Sequence, residues 1–199
     1  MDIARTPATP DGNPEMADAP VHAPPPEIRR EDYRPFPWLV PTIRLEFELG
    51  IEETLVTATI DVERNPAGDG SPTIRLNGDG LDLVELHCDD GPCASHVMEG
   101  EDLLVTLEGD RHTLTIVTRL KPDQNSQLMG LYASGGMLCT QCEAEGFRRI
   151  TFFPDRPDVL STYTVRMSGS KADFPVLLSN GNHTDGGEGE GGTHWAEWH

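Results

Sequence analysis

Apolar and polar residues alternate along most of the chain with a period of two. From Thr42 to Leu49, Ile43, Leu45, Phe47 and Leu49 fall on one face and Arg44, Glu46 and Glu48 on the other. Successive side chains of an extended strand point to opposite faces, so this run marks a half-buried strand. Val56, Ala58, Ile60 and Val62 repeat it after a short turn at Gly50, Ile51 and Glu52, and the two runs predict an antiparallel hairpin. Asn65 to Pro72 is turn chemistry. Ile74 and Leu76 give a short strand, ended by Asn77, Gly78, Asp79 and Gly80. Leu81, Leu83 and Leu86 then lead into a loop from Cys88 to Cys93. Leu103, Val105 and Leu107 are expected to pair with Leu114, Ile116 and Thr118 around Glu108, Gly109, Asp110 and Arg111. Tyr163, Val165 and Met167 mark another strand, and Phe174 to Leu178 a further one. The Gly- and Glu-rich run from Asp185 to Gly192 reads as a flexible tip or linker. His194, Ala196 and Trp198 begin a last alternating run, read as an edge strand left unpaired where the domain stops unfinished.

No segment carries a 3.6-residue repeat. Many short strands separated by turn signals predict an all-β fold, an antiparallel β-sandwich or saddle-like sheets, incomplete at the C-terminal end. Residues 1–32 are rich in Pro and Ala, with Pro24, Pro25 and Pro26 near their end, and read as a disordered leader. Residues 33–199 then form one β-domain, with Tyr33 to Pro41 as its extended lead-in.

A chain of 199 residues can bury a core of its own. Its 15 Lys and Arg against 34 Asp and Glu give a net charge of −19. That charge repels phosphate backbones and anionic lipid, so neither nucleic acid nor a membrane surface is an expected partner. It suits an acidic cleft for a cationic ligand, or simply a strongly hydrated surface. No apolar run approaches the ~20 residues of a membrane span. No basic segment followed by an apolar core of roughly 7–15 residues opens the chain. These features point to the cytoplasm, where the four cysteines are expected as thiols or metal ligands rather than disulfides.

Candidate chemistry concentrates between Cys139 and Leu160. Gly135 and Gly136 break the chain before it, Pro154 and Pro157 interrupt it, and the stretch is expected to begin as irregular backbone. A rigid scaffold can hold such polar loop groups toward a ligand. A carboxylate facing a cleft pairs with a protonated α-amine through a charge-assisted contact of about 1.5–3 kcal/mol. Glu143, beside the Gln141 amide, offers such a carboxylate, but on this chemistry alone two solvated loop side chains are the plainer reading. Cys139 and Cys142, with Cys88 and Cys93, could complete a four-thiolate zinc tetrahedron, against ordinary thiols. A zinc peptidase needs His-Glu-x-x-His on a helix, and the seven histidines supply no such spacing, so no metal ligand is assigned. Glu145 with Arg148 and Arg149, and the run from Asp155 to Asp158, are expected as ion pairs that fix the loop.

The same residues carry a likeness. Gln141-Cys142-Glu143-Ala144-Glu145-Gly146-Phe147-Arg148, followed by Phe153-Pro154-Asp155-Arg156-Pro157-Asp158-Val159-Leu160, resembles the N-terminal β-domain of the bacterial-type aminopeptidase N family. These are zinc exopeptidases that remove single residues from peptide N-termini. The likeness continues more thinly through Leu76-Asn77-Gly78, Gly130-Leu131-Tyr132, Leu178-Ser179-Asn180-Gly181-Asn182 and His194-Trp195. It implies that Glu143 contacts the substrate α-amine and that Gln141 lines the pocket for the first side chain. It also implies that the zinc site, the water-activating Glu and the Gly-Ala-Met-Glu-Asn motif lie downstream of this domain. On that basis the chain supplies one wall of an active site, with peptide N-termini and the catalytic domain as partners. Zinc is then the cofactor of the longer enzyme, no catalytic residue or metal ligand lies in these 199 residues, and the chain alone is expected to be inactive. Two other readings are a stand-alone β-sandwich module that captures peptide amines, and an interaction domain stabilised by zinc on the four cysteines.

Overall fold

The fold, taken from a computed structural model that describes residues 29–199, opens with the predicted hairpin. Strands β1 (Trp38–Glu48) and β2 (Thr54–Arg64) pair antiparallel, from Glu48 opposite Leu55 to Trp38 opposite Arg64. The register shifts between Leu39 and Thr42, where Pro41, which has no N–H to give a ladder, is absorbed in a bulge. Chain order continues through β3 (Thr73–Leu76), β4 (Asp82–Cys88), β5 (Gly91–Pro92), β6 (His96–Glu99), β7 (Asp102–Thr106) and β8 (Arg111–Leu120). It ends with β9 (Gly130–Ser134), β10 (Met137–Gln141), β11 (Thr162–Ser170), β12 (His183–Glu188) and β13 (Thr193–Trp198). Among the described residues the only helices are single 3-10 turns. Residues 34–199 form one compact unit; the leader expected over 1–32 lies outside the described residues except for its last four.

Eight strands make one sheet in the order β12-β13-β11-β1-β2-β8-β4-β5, and β3-β7-β6 make a second. The alternating apolar faces meet between them. Trp38, Ile43, Val56, Ile60, Leu114 and Ile116 come from the large sheet, Ile74, Leu76, Leu103 and Val105 from the small one, all at most 1% exposed. Ile150, Phe152 and Phe153, from the stretch before β11, complete the same core. The fold is thus all-β and sandwich-like, as the alternation predicts. It differs in one respect from a purely antiparallel design: β1 and β11 run parallel, Thr42 beside Thr162 through Glu48 beside Ser168. Parallel neighbours need a long connection, and nothing in a strand's own residues announces it.

Four local expectations are corrected. The run from Leu103 and the run from Leu114 do not pair with each other. β7 lies between β3 and β6, whereas β8 lies between β2 and β4. The segment joining them crosses from one sheet to the other, with Leu107 N bonded to Pro72 O (3.0 Å) and Arg64 N to Asp110 O (2.8 Å). Alternation fixes which face is buried, and partner choice is a separate matter. The segment from Phe174 to Leu178 is not a strand; Phe174 is buried, but Val176 and Leu178 are 69% and 73% exposed. Half of the Gly-Glu run is strand, not linker. Gly187 sits opposite Trp195, and a Cβ there would fall 3.2 Å from the indole nitrogen, so glycine serves close approach. Finally β13 is paired on both sides, by β11 and β12, and the exposed edge is β12.

Cysteine chemistry is corrected too. Cys88 and Cys93 form a disulfide, with Cα atoms 4.8 Å apart. β5 folds straight back on β4, Cys88 opposite Gly91, and delivers Cys93 beside Cys88. A loop this short contributes about 2 kcal/mol through the unfolded state. Within it, Asp89 takes a positive φ of 55° and clasps the start of β8. It accepts from Thr113 N (3.0 Å) and pairs with His112 Nδ1 (2.9 Å). These two contacts, His112 first, hold its carboxyl below the ordinary value of 3.8. A depressed carboxyl contributes stability that is complete above its unfolded pKa and is lost as pH falls through the folded one. The stability gap between wild type and Asp89→Asn, from urea unfolding, is therefore expected to close as pH falls from about 5 toward 2. A gap independent of pH across that range would refute it.

Candidate functional site

The stretch expected to start as irregular backbone starts as a strand. β9 and β10 form a separate two-stranded ribbon around Gly135 and Gly136, both at positive φ, which a tight hairpin turn requires. Leu131 is buried at its base, and Leu138 packs on the core. Gln141 is the last residue of β10, opposite Gly130. The chain then leaves the ribbon in a tight turn, with Gly146 N bonded to Cys142 O at 2.8 Å. The turn is close-packed, since a Cβ at Gly146 would lie 2.7 Å from Gln141 O and 2.8 Å from Cys142 Cα. The Glu143–Ala144 peptide is cis.

This turn places the two candidate residues side by side and in solvent. Gln141 Nε2 donates to the Glu143 backbone oxygen at 3.1 Å, and both side chains are exposed. The Glu143 carboxylate makes no ion pair among the described residues, so it is open to an incoming cation. Cys142, between them, turns inward and packs on the core. Burial first, then the Asp155 charge, raise its thiol pKa, so it is a poor nucleophile. Below it Phe147, Phe153 and Tyr163 meet edge-on or tilted, with centroids 5.1 to 6.4 Å apart. Burial, with the Asp155 and Cys142 charges, pushes the Tyr163 phenol up to about 12.

Ion pairs fix the loop as expected at Glu145 with Arg148 and at Arg156 with Asp158, and two further pairs span longer distances. Arg148 reaches Glu145 at 3.5 Å and Asp155 at 3.0 Å. Arg149 grips Asp79 with two nitrogens, at 2.8 and 2.9 Å. Arg156 pairs with Asp158 at 2.8 Å. Three anchors escaped sequence reasoning. Asn77 forms a β-bridge to Phe153, with N–H to O bonds of 2.8 and 3.2 Å in both directions. Asp102 accepts from Asn77 Nδ2 and Gly78 N. Thr118, buried in β8, donates its hydroxyl to Ile150 O at 2.8 Å. Asn77-Gly78 was the one visible signal, as part of the family likeness.

The four-thiolate alternative is corrected by the disulfide. Cys88 and Cys93 are bonded to each other, so a tetrahedron on four thiolates lacks two of its ligands. Cys139 and Cys142 are free and half-buried. Among the described residues no group of three His, Cys, Asp or Glu side chains is arranged to hold a metal ion. Two of the histidines have other contacts, His194 Nε2 with Phe174 O (2.6 Å) and His183 against Trp198. No helix among the described residues is long and apolar enough to cross a membrane.

Fold and loop together define a β-sandwich domain that presents a carboxylate and an amide on a clamped turn. Residues 43–199 match the Peptidase M1 N-terminal domain, and the chain belongs to that family. Aminopeptidase N of Caulobacter vibrioides is 47% identical over 176 residues, 87% of this chain and 20% of the relative. Aminopeptidase N of Escherichia coli is 44% identical over 169 residues, 85% and 19%. Legionella pneumophila aminopeptidase A, solved in complex with aspartic acid, superposes with a TM-score of 0.79 at 28% identity, over 84% of this chain and 20% of that one. An M1 zinc metallopeptidase from Deinococcus radiodurans bound to a Tyr-Ser-Ala substrate shares the fold at 17% identity, TM-score 0.67, over 81% and 38%. The chain thus spans about a fifth of the length of the curated relatives it matches.

Proposed function

We propose that this chain is the substrate-gripping N-terminal domain of a zinc aminopeptidase, with Glu143 pairing with the peptide α-amine and Gln141 lining the first side-chain pocket. The observation that carries this is the exposed pair itself, joined by the 3.1 Å bond and set on a turn tied to the core. A free N-terminus carries the positive charge that an internal amide lacks, so one carboxylate suffices to tell the two apart. The hydrolytic groups belong, on this reading, to the rest of a longer protein. Its catalytic part is the proposed partner of the half-covered residues Val165, Met167 and Trp198 on the sheet. The same reading assigns the protein to peptide catabolism, with neither nucleic acid nor membrane as partner.

The test is titration of the chain with a tripeptide, free or N-acetylated, followed by calorimetry. Glu143→Gln is expected to weaken the free-amine peptide about 10- to 100-fold and leave the acetylated one unchanged. Equal affinity of the wild-type chain for both peptides would reject the assignment. Turnover of an aminoacyl anilide by the pure chain with added zinc would reject its inactivity alone.

A further inference from the structure

We infer that Asp155 is the positioning residue of the amine-binding turn: by clamping Arg148 it fixes where Glu143 stands. The inference rests on the reading of Glu143 given above. One Asp155 oxygen accepts from both the Arg148 backbone N–H (3.2 Å) and its Nε (3.0 Å). The Asp155 carbonyl accepts from Arg148 Nη2 at 3.0 Å. Arg148, the residue that follows the turn, is thereby held by Asp155 through backbone and side chain alike. The pair is mostly out of water, with 22% and 17% of the two side chains exposed, where a charge-assisted bond is strong.

Asp155 is itself held. Its N–H donates to Asn77 Oδ1 at 3.2 Å, and Asn77 is bridged to Phe153 and bonded to Asp102. Toward the turn, Arg148 reaches on to Glu145 at 3.5 Å, two residues from Glu143. A continuous set of contacts therefore runs from the small sheet through Asn77, Asp155 and Arg148 to Glu145, within the turn that carries Glu143. The Asp155 carboxylate faces the underside of the turn, where its charge is felt by Cys142 and Tyr163. Arg149 with Asp79 acts elsewhere: it also holds Gln127, beside the base of the ribbon.

The experiment compares wild type, Asp155→Asn and Asp155→Glu in the full 199-residue chain. Hydrogen exchange of the amides from Cys142 to Phe147 is expected to quicken about tenfold in Asp155→Asn, while β2 and β8 exchange as before. The affinity ratio of free to N-acetylated tripeptide is expected to fall about tenfold, and Asp155→Glu, which keeps the carboxylate, to restore most of it. A general loss of stability would quicken β2 and β8 as well and leave the ratio among folded molecules intact. Unchanged exchange at the turn, or faster exchange with an unchanged ratio, would overturn the inference. A wild-type chain that does not discriminate the two peptides rejects the Glu143 reading instead; exchange then still decides whether Asp155 holds the turn. Should Asp155→Asn fail to fold, Arg148→Lys removes the same Nε bond and is read in the same way.

Discussion

Phe152→Ala is expected to lower the stability of the domain by about 3–5 kcal/mol, the usual toll of emptying a buried aromatic site. Phe152 is 1% exposed and stands where three parts of the molecule meet. Its neighbours in sequence, Ile150 and Phe153, are bonded respectively to Thr118 of the large sheet and to Asn77 beyond the small one. Its ring lies against Gly78. Removing the ring leaves a cavity that these hydrogen bonds prevent from collapsing, so the cost belongs at the upper end of the range. Against a typical domain stability of about 5–15 kcal/mol this is close to unfolding. Urea denaturation of the purified variant measures it, and a loss under about 1 kcal/mol would mean that the ring is not the keystone described here.

Gly78→Ala should do comparable harm from the opposite side. A Cβ at Gly78 would press on the Phe152 ring and on the Glu101 carbonyl at once. The ring can shift only by disturbing the core, and the carbonyl belongs to backbone next to Asp102. Overpacking of this kind costs about 1–3 kcal/mol, and the Asn77 bridge one residue away is expected to loosen with it. Thermal unfolding checks the size, and a second variant checks the cause. If the ring is the obstacle, Phe152→Leu in the Gly78→Ala background loses less than the two single changes added together. Strict additivity would locate the clash at the carbonyl alone.

How far the sequence reaches is visible in these same residues. Ile43, Leu45, Phe47 and their counterparts from Val56 to Val62 are assigned correctly because a period of two is local, and a short turn leaves one sensible partner. Leu103–Leu107 and Leu114–Thr118 alternate just as cleanly, yet join different sheets, because the partner of each is fixed by the whole core. The Gly-Glu run misleads because glycine signals freedom in isolation, whereas Gly187 is glycine so that Trp195 can lie close. At the site, Glu143 stands out from its neighbours only through the family likeness; as a loop carboxylate it resembles Glu145. The pairs of Arg148 with Glu145 and of Arg156 with Asp158 are legible, since three and two residues separate their partners, whereas Arg148 with Asp155 is not among the pairs expected. Arg149 with Asp79, 70 residues apart, and Thr118 with Ile150, 32 apart, are not legible, since nothing local encodes such distances.

The parallel seam between β1 and β11 has a consequence for how the protein is made. Ser168 Oγ bonds to Phe47 O across 121 residues of intervening chain. A ribosome adding about 5–20 residues per second needs roughly 6–24 s to cover that interval. Once β1 and β2 have emerged, the flank of β1 that will receive β11 shows its bare peptide groups to whatever passes until that strand follows. The nascent chain thus spends seconds with an adhesive seam, and β1 bears Arg44, Glu46 and Glu48 on its outward face during that wait. Their charge gives the half-made sheet a means of discouraging other nascent chains before its own strand arrives.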